Sequence, residues 1–476
     1  MNPSTTSLRR GDRNSISEQL IEVCSAPVDA ATRDRAAVHL LDWLGCILAG
    51  GTSDAGMGVR NTLRAEPLSS GNCFVCGEAE VSASAAAFVN GGLGNILEMD
   101  DVHRASLLHA GDVIIPATLA MAQQQNATLV QLLDGIVRGY ELALRLGVVA
   151  AAGGYSNWYN SGTCGIFGAA LGSGSILGLD RHQLKDCLGQ AGMLGSGIWQ
   201  CRLEPTWSKQ LASANAARNG VMAAFLGQQR FGGARFIFEG EAGFYATYYP
   251  QADVSQINLE PVENWLLHDV SFKPWPACRH NHPAIEAALQ LHAQVAADVI
   301  DETIDAIEIE TYQAAIDFCD NRDPVSAHEA RFSLQHCVAV ALCRGEPGIA
   351  DFNAASRADV QLTGMRNKTR LITNESYDKR FPRHMGSTVT LSLRDGRRLN
   401  VPVDNACGDP ENPMSLEDIQ KKFRQLARGA GVSESTTEAC TLAISIDKHV
   451  SDPVSGDKPN ASYSCLLYTS PSPRDS

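Results

Sequence analysis

The chain has 476 residues, 44% hydrophobic and 19% charged, with 39 Lys and Arg against 53 Asp and Glu for a formal charge of −14. That length admits up to three domains of about 150 residues, and the composition is globular rather than disordered. The acidic balance argues against a general nucleic-acid binder, which needs clustered cations, and no apolar run approaches the roughly 20 residues of a membrane-spanning helix.

The first 15 residues, MNPSTTSLRRGDRNS, carry no apolar stretch, so the 14 Cys read as reduced thiols and the cytoplasm is the expected compartment. Residues 16–270 read as mostly helical. Ala37, Leu40, Leu41, Leu44 and Leu48 recur at helical spacing and predict one apolar stripe. Small residues crowd 85–94, 147–154 and 162–178, which lets helices approach closely or leaves room for a ligand beside the backbone. Close helix packing accounts for most of them. At 271 the pattern changes. Ile307, Ile309 and Thr311 alternate with Glu308 and Glu310 as in a half-buried strand. Val389, Leu391 and Leu393, the turn pair Asp395-Gly396, and Leu399, Val401 and Val403 predict a hairpin. Between these strands a helix is predicted from Pro283, with Ile285, Ala288, Leu289 and His292 on one face, and another over 327–343. Residues 271–405 therefore read as a smaller α+β domain. Over 406–452 helical signals return, with a capping box at Ser415 and Asp418 ahead of Leu416, Ile419, Phe423 and Leu426. This segment is expected to pack back on the first domain, making a large, discontinuous all-helical domain in a mainly α fold. Residues 453–476 show no periodicity and read as a disordered tail or a sequence scar.

Glu98-Met99-Asp100-Asp101-Val102-His103-Arg104, followed by His109 and Asp112, holds more ionisable groups than a dry core accepts unpaired. Read as a helix, it sets Asp100 beside His103 and Arg104. Three readings stand: a site where carboxylates and imidazoles tune each other, a metal site, or a solvated helix end. A second cluster, FKPWPACRHNH at 272–282, presents Lys273 and Arg279 on a proline-stiffened loop. It runs into a helix start at His282-Pro283, which suits a carboxylate ligand, although a charged surface linker has the same letters. Its place at the domain junction favours the ligand. Lys209 and Tyr159 are thinner candidates, since Lys is ordinarily solvated and Tyr ordinarily packs. Cys73 and Cys76 lack a second pair at zinc spacing. No phosphate loop, dinucleotide fingerprint or G-x-S-x-G elbow occurs, so no nucleotide cofactor is expected.

Seven segments, LEMDDVHR at 97–104, HAGDVIIPATLAMA at 109–122, RGYELALRLG at 138–147, TCGIFGAA at 163–170, FEGEAGF at 238–244, FKPWPACRHNH at 272–282 and EARFSLQH at 329–336, together resemble the MmgE/PrpD family over residues 16–450. The resemblance implies a helical domain built from both chain ends, a smaller α+β lid and a homodimer. It also implies a lyase acting on a small polycarboxylate without metal or other cofactor. A 2-methylcitrate dehydratase-like hydro-lyase is the first expectation. A cis-aconitate decarboxylase, an epimerase and a carboxylate-binding protein without turnover are the alternatives. The site implied lies between domain and lid, at Glu98, Asp100, Asp101, His103, His109, Lys209, Lys273 and His282. The chain departs from the family pattern at Glu98, Val102, Tyr159 and Asn215. On this basis His109 is expected to move the proton, with His103, Asp100 and Asp101 orienting and tuning it. Lys209 and Lys273 are expected to hold carboxylates, and Glu98, Tyr159, Arg279 and His282 to bind substrate.

Overall fold

A computed structural model describes residues 14–65, 70–76, 81–204, 206–294 and 303–444. The tail expected at 453–476 lies outside the described residues.

Two hydrophobic cores organise the chain. The first is helical. It takes in the helices Ala30–Gly51, Ala83–Leu93, Gly111–Gln125, Leu129–Ala150, Gly165–Ile176 and Ser208–Gln228, and it is completed by Ile419, Phe423 and Leu426 of the Leu416–Gly429 helix. The Ala30–Gly51 helix is buried almost all round, so the predicted stripe widens to enclose Trp43, Cys46 and Ile47 as well. The small residues serve close packing. A β-carbon at Gly139 would lie 2.8 Å from the Gly168 carbonyl oxygen, and one at Gly172 would lie 2.6 Å from that of Gly135. The Leu129–Ala150 and Gly165–Ile176 helices therefore meet backbone to backbone. Ser415 and Asp418 form the predicted capping box.

The second core covers Trp275 to Ala406. A short strand β1 (Ser70–Cys73) lies outside its sheet, which orders β2 (Ile304–Thr311), β3 (Thr369–Thr373), β4 (Ser387–Leu393) and β5 (Arg398–Val403) as β3-β2-β4-β5. The hairpin β4–β5 and strand β2 follow the alternation in the sequence, and Gly396 at φ 89° makes the turn. Strand β3, parallel to β2, has no counterpart among the predicted elements. Ile307, Ile309, Val389 and Leu391 share this core with residues of the His282–His292 and Leu334–Arg344 helices. The helix predicted over 327–343 is two helices, Ala327–Arg331 and Leu334–Arg344. The break falls where the Ser333 hydroxyl accepts from the His336 amide at 3.0 Å and donates to the Asn321 carbonyl at 2.5 Å, which recaps the chain. No helix among the described residues is long and apolar enough to cross a membrane.

Candidate active site

The segment from Asn95 to Leu108 is not the helix its spacing suggested; it is an irregular stretch set by two short antiparallel contacts. Val102 and Ser271 exchange both backbone hydrogen bonds at 2.9 Å, which in antiparallel register sets Lys273 opposite Asp100. His103 pairs with Leu108, folding the intervening loop so that His109 returns beside Asp100. Glu98 has φ 55°, a left-handed conformation that few non-glycine residues adopt. Arg104, freed from the helical i, i+4 position, reaches Asp409 at 3.2 Å and Glu411 at 2.6 Å instead.

Four chain regions then converge. Lys209, in the first turn of the Ser208–Gln228 helix, places Nζ 2.5 Å from Glu98 Oε1. Lys273 Nζ lies 3.5 Å from Glu98 Oε2 and 3.2 Å from Asp100 Oδ1. His109 Nδ1 lies 2.5 Å from Asp100 Oδ2, and its backbone amide donates to Ser161 Oγ at 2.9 Å. Burial would raise both carboxyls, yet Lys209 and Lys273 hold Glu98 below the carboxylate range, and His109 and Lys273 hold Asp100 well below it. Burial would lower both lysines, and the same carboxylates raise them instead. Burial lowers the His109 imidazole; Asp100 opposes this, and the two lysines reinforce it. Two carboxylates thus face two ammonium groups, and protonation of His109 would make the cluster net positive.

The cluster floors a cavity of about 400 Å³, a size suited to a small ligand. Glu98, His109, Tyr155, Trp199, Arg202 and Lys209 line it from the helical side, and Cys278, Arg279, His280, Phe318, His328 and Phe332 from the other.

The remaining expected site residues are placed differently. Asp101 does not touch His109: its oxygens bind His39 Nδ1 at 2.7 Å, the Tyr140 hydroxyl at 2.7 Å and the Gly111 amide at 2.9 Å. His103 bonds Ser106 Oγ at 2.8 Å, and burial lowers its pKa to about 4. Of the groups expected to orient and tune His109, Asp100 is therefore the one that bonds it. His282 is enclosed behind the wall, its Nε2 3.0 Å from the Ala277 carbonyl. Arg279 touches the cavity but is ion-paired to Asp409. Tyr159 is fully buried, its ring centre 6.3 Å from that of His109 and 4.3 Å from that of Trp199. Asp112 is buried, and burial together with the charges of Asp100 and Asp101 pushes its carboxyl well up.

Sequence reasoning did not single out His280, whose Nδ1 is 2.5 Å from the Tyr312 hydroxyl and whose Nε2 is 2.9 Å from that of Tyr155. Burial, with the neighbouring cations, lowers its pKa to about 3. It lies inside FKPWPACRHNH, but nothing local ranks it above His282. Among the described residues no group of three or more His, Cys, Asp or Glu side chains is placed to hold a metal ion.

Residues 15–257 match the MmgE/PrpD N-terminal domain and residues 275–444 the MmgE/PrpD C-terminal domain. A cis-aconitate decarboxylase-like protein of Aspergillus oryzae is 25% identical over 456 residues, covering 90% of this chain and 92% of its own length. Human cis-aconitate decarboxylase is 27% identical over 354 residues, 71% of each chain. The 2-methylcitrate dehydratase of Cupriavidus necator is 23% identical over 295 residues, 58% of this chain and 60% of its own. Matched in order along both of its halves, the chain belongs to the MmgE/PrpD family.

Proposed function

We propose that this chain is a lyase that turns over a small polycarboxylate in the cavity, with His109 exchanging the proton. The observation that carries the reading is the bond between His109 Nδ1 and Asp100 at 2.5 Å on a ring that lines the cavity. Asp100 fixes the tautomer and leaves Nε2 as the exchanging nitrogen. Beside it, Lys209 supplies a cation for a substrate carboxylate.

Decarboxylation of cis-aconitate is the better supported step. Carbon dioxide leaves its bonding electrons on the carbon skeleton, and one proton from His109 Nε2 to carbon completes the dicarboxylate product. Water then returns a proton to the ring. One imidazole suffices for this, and the Aspergillus oryzae relative that covers 90% of the chain carries the decarboxylase-like name. Dehydration of 2-methylcitrate is the second reading. It needs both a base and an acid, and the His280–Tyr155 pair adds a second proton-bearing group to the same cavity. The Cupriavidus necator relative bears the dehydratase name. The reading extends to a homodimer, supported by the exposed apolar side chains of Met193, Ile198, Leu203 and Leu211, which fall within one stretch of the chain.

Incubation of the purified protein with cis-aconitate, 2-methylcitrate and related di- and tricarboxylates, with products read by mass spectrometry, tests both readings. Loss of carbon dioxide supports the first and loss of water the second. No turnover of any member of the panel overturns both.

A further inference from the structure

Among the described residues, two arginines and one lysine line the cavity: Arg202, Arg279 and Lys209. Two already have their charge answered. Lys209 faces Glu98 at 2.5 Å. Arg279 pairs with Asp409 and bonds the carbonyls of Phe272 and Cys407. Arg202 has no ion pair among the described residues, although acids share its wall. Glu204 accepts from Gln200 at 2.6 Å, Asp317 from Gln313 at 2.8 Å, Asp320 from Gln335 at 2.6 Å and Glu329 from the Val325 amide at 2.6 Å, and none of them reaches Arg202 at ion-pairing distance. The Arg202 guanidinium lies instead over aromatic faces, 4.9 Å from the ring centre of Phe318 and 5.9 Å from that of Tyr155. Such a contact holds a guanidinium in place without quenching its charge and leaves its planar donor edge free for a carboxylate.

We propose that Arg202 determines the specificity of the cavity: it receives a substrate carboxylate that Lys209 does not hold, and so makes the cavity prefer a tricarboxylate to a dicarboxylate. Availability is the reason. Lys209 and Arg279 each have a carboxylate at ion-pairing distance, whereas Arg202 has none among the described residues, so its donor edge is the one open to a further substrate carboxylate. Arg202 closes the turn Trp199–Arg202 on the helical side, and Phe318 stands on the Gln313–Cys319 helix of the other, so the guanidinium bridges the two sides of the cavity. This inference rests on the polycarboxylate reading above and deepens it.

Calorimetric titration with two unreactive probes separates the two. The probes are propane-1,2,3-tricarboxylate and methylsuccinate, which is the same skeleton less one terminal carboxyl. Wild-type protein is expected to bind the tricarboxylate more tightly. Arg202→Gln is expected to weaken it about 10- to 100-fold, leave methylsuccinate unchanged and raise KM for a tricarboxylate substrate far more than it lowers kcat. Arg202→Lys, which keeps the charge but loses the two-pronged edge, is expected to fall between. An unchanged ratio of the two affinities in Arg202→Gln overturns the role of Arg202 and leaves the lyase reading standing. Failure of the wild-type protein to bind either probe overturns the polycarboxylate reading, and this inference with it.

Discussion

A carboxylate as enclosed as Asp100 stays charged only if cations or donors face it, and here an imidazole and an ammonium do so from different parts of the chain. The arrangement biases His109 as well. Burial and the two lysines hold its ring below the ordinary 6.5, so near neutral pH the free protein carries it largely as the neutral base. A bound polyanion favours the imidazolium and moves the ring back up. If His109 delivers the proton in a decarboxylation, kcat/KM, which reports the free enzyme, rises toward acid with its alkaline limb below 6.5, and the limb of kcat lies at higher pH. The inverse profile, with activity lost on the acid side, would assign His109 as the base of a dehydration. His109→Ala is expected to lower kcat by about 10²- to 10⁴-fold in protein that still folds. A variant that folds and keeps full turnover removes the ring from the chemistry. Glu98, Asp100, His109 and Lys273 were legible in the sequence because each sits in a dense or motif-bearing stretch, whereas Lys209 stood out only through the family resemblance. Asp101 was not separable from Asp100, since adjacent acids differ only in which way the backbone turns them. His280, Trp199 and Arg202 were illegible for another reason. Their meaning comes from partners such as Tyr155, 125 positions from His280, and no local spacing encodes that.

At the scale of elements, the site depends on how closely helices can approach. The Gly111–Gln125 helix, which begins two residues after His109, packs with the Gly165–Ile176 helix, and that helix in turn meets Leu129–Ala150 through facing glycines. A β-carbon at Gly168 would fall on the Gly139 carbonyl and against Ala143 and Ile114. Gly168→Ala should therefore destabilise by about 1–3 kcal/mol in urea denaturation, despite the better helix propensity of Ala. Gly58, in the Asp54–Ala65 helix, would meet nothing within 4 Å, and Gly58→Ala should be neutral or stabilise by up to about 1 kcal/mol. Equal effects at the two sites would refute the close-approach explanation. The strands with alternating residues were readable, because alternation reports a sheet with one buried face. Strand β3 was not, since its burial does not alternate and only its parallel pairing with β2 makes it a strand. The break at Ser333 escaped for a related reason: the Asn321 carbonyl that Ser333 bonds is twelve residues away.

At the scale of the molecule, the far end of the chain reaches the site through one lysine. Lys422 of the Leu416–Gly429 helix donates to Asp42 Oδ1 at 2.7 Å and to the Met99 carbonyl at 2.6 Å. Met99 sits between Glu98 and Asp100, so this contact braces the backbone that aims both carboxylates. Burial raises the Asp42 carboxyl to about 6 from the ordinary 3.8, even with Lys422 pulling it down. Between those values the folded protein holds the proton more readily than the unfolded chain, so the contribution of Asp42 to stability declines as pH rises through that window. Lys422→Met removes the cation and pushes the carboxyl higher, which extends the decline past neutrality. The variant should thus lose little at about pH 5, where Asp42 is protonated. It should lose up to about 3–5 kcal/mol near pH 8, where a charge must be buried alone or a proton held against the solvent. The lost bond to Met99 adds a term that does not vary with pH, so the difference between the two pH values isolates the carboxyl. Asp42→Asn combined with Lys422→Met should flatten that difference. Urea denaturation of the three proteins at both pH values decides the matter, and a penalty that is the same at both would mean that Lys422 acts by packing and by its bond to Met99 rather than by its charge.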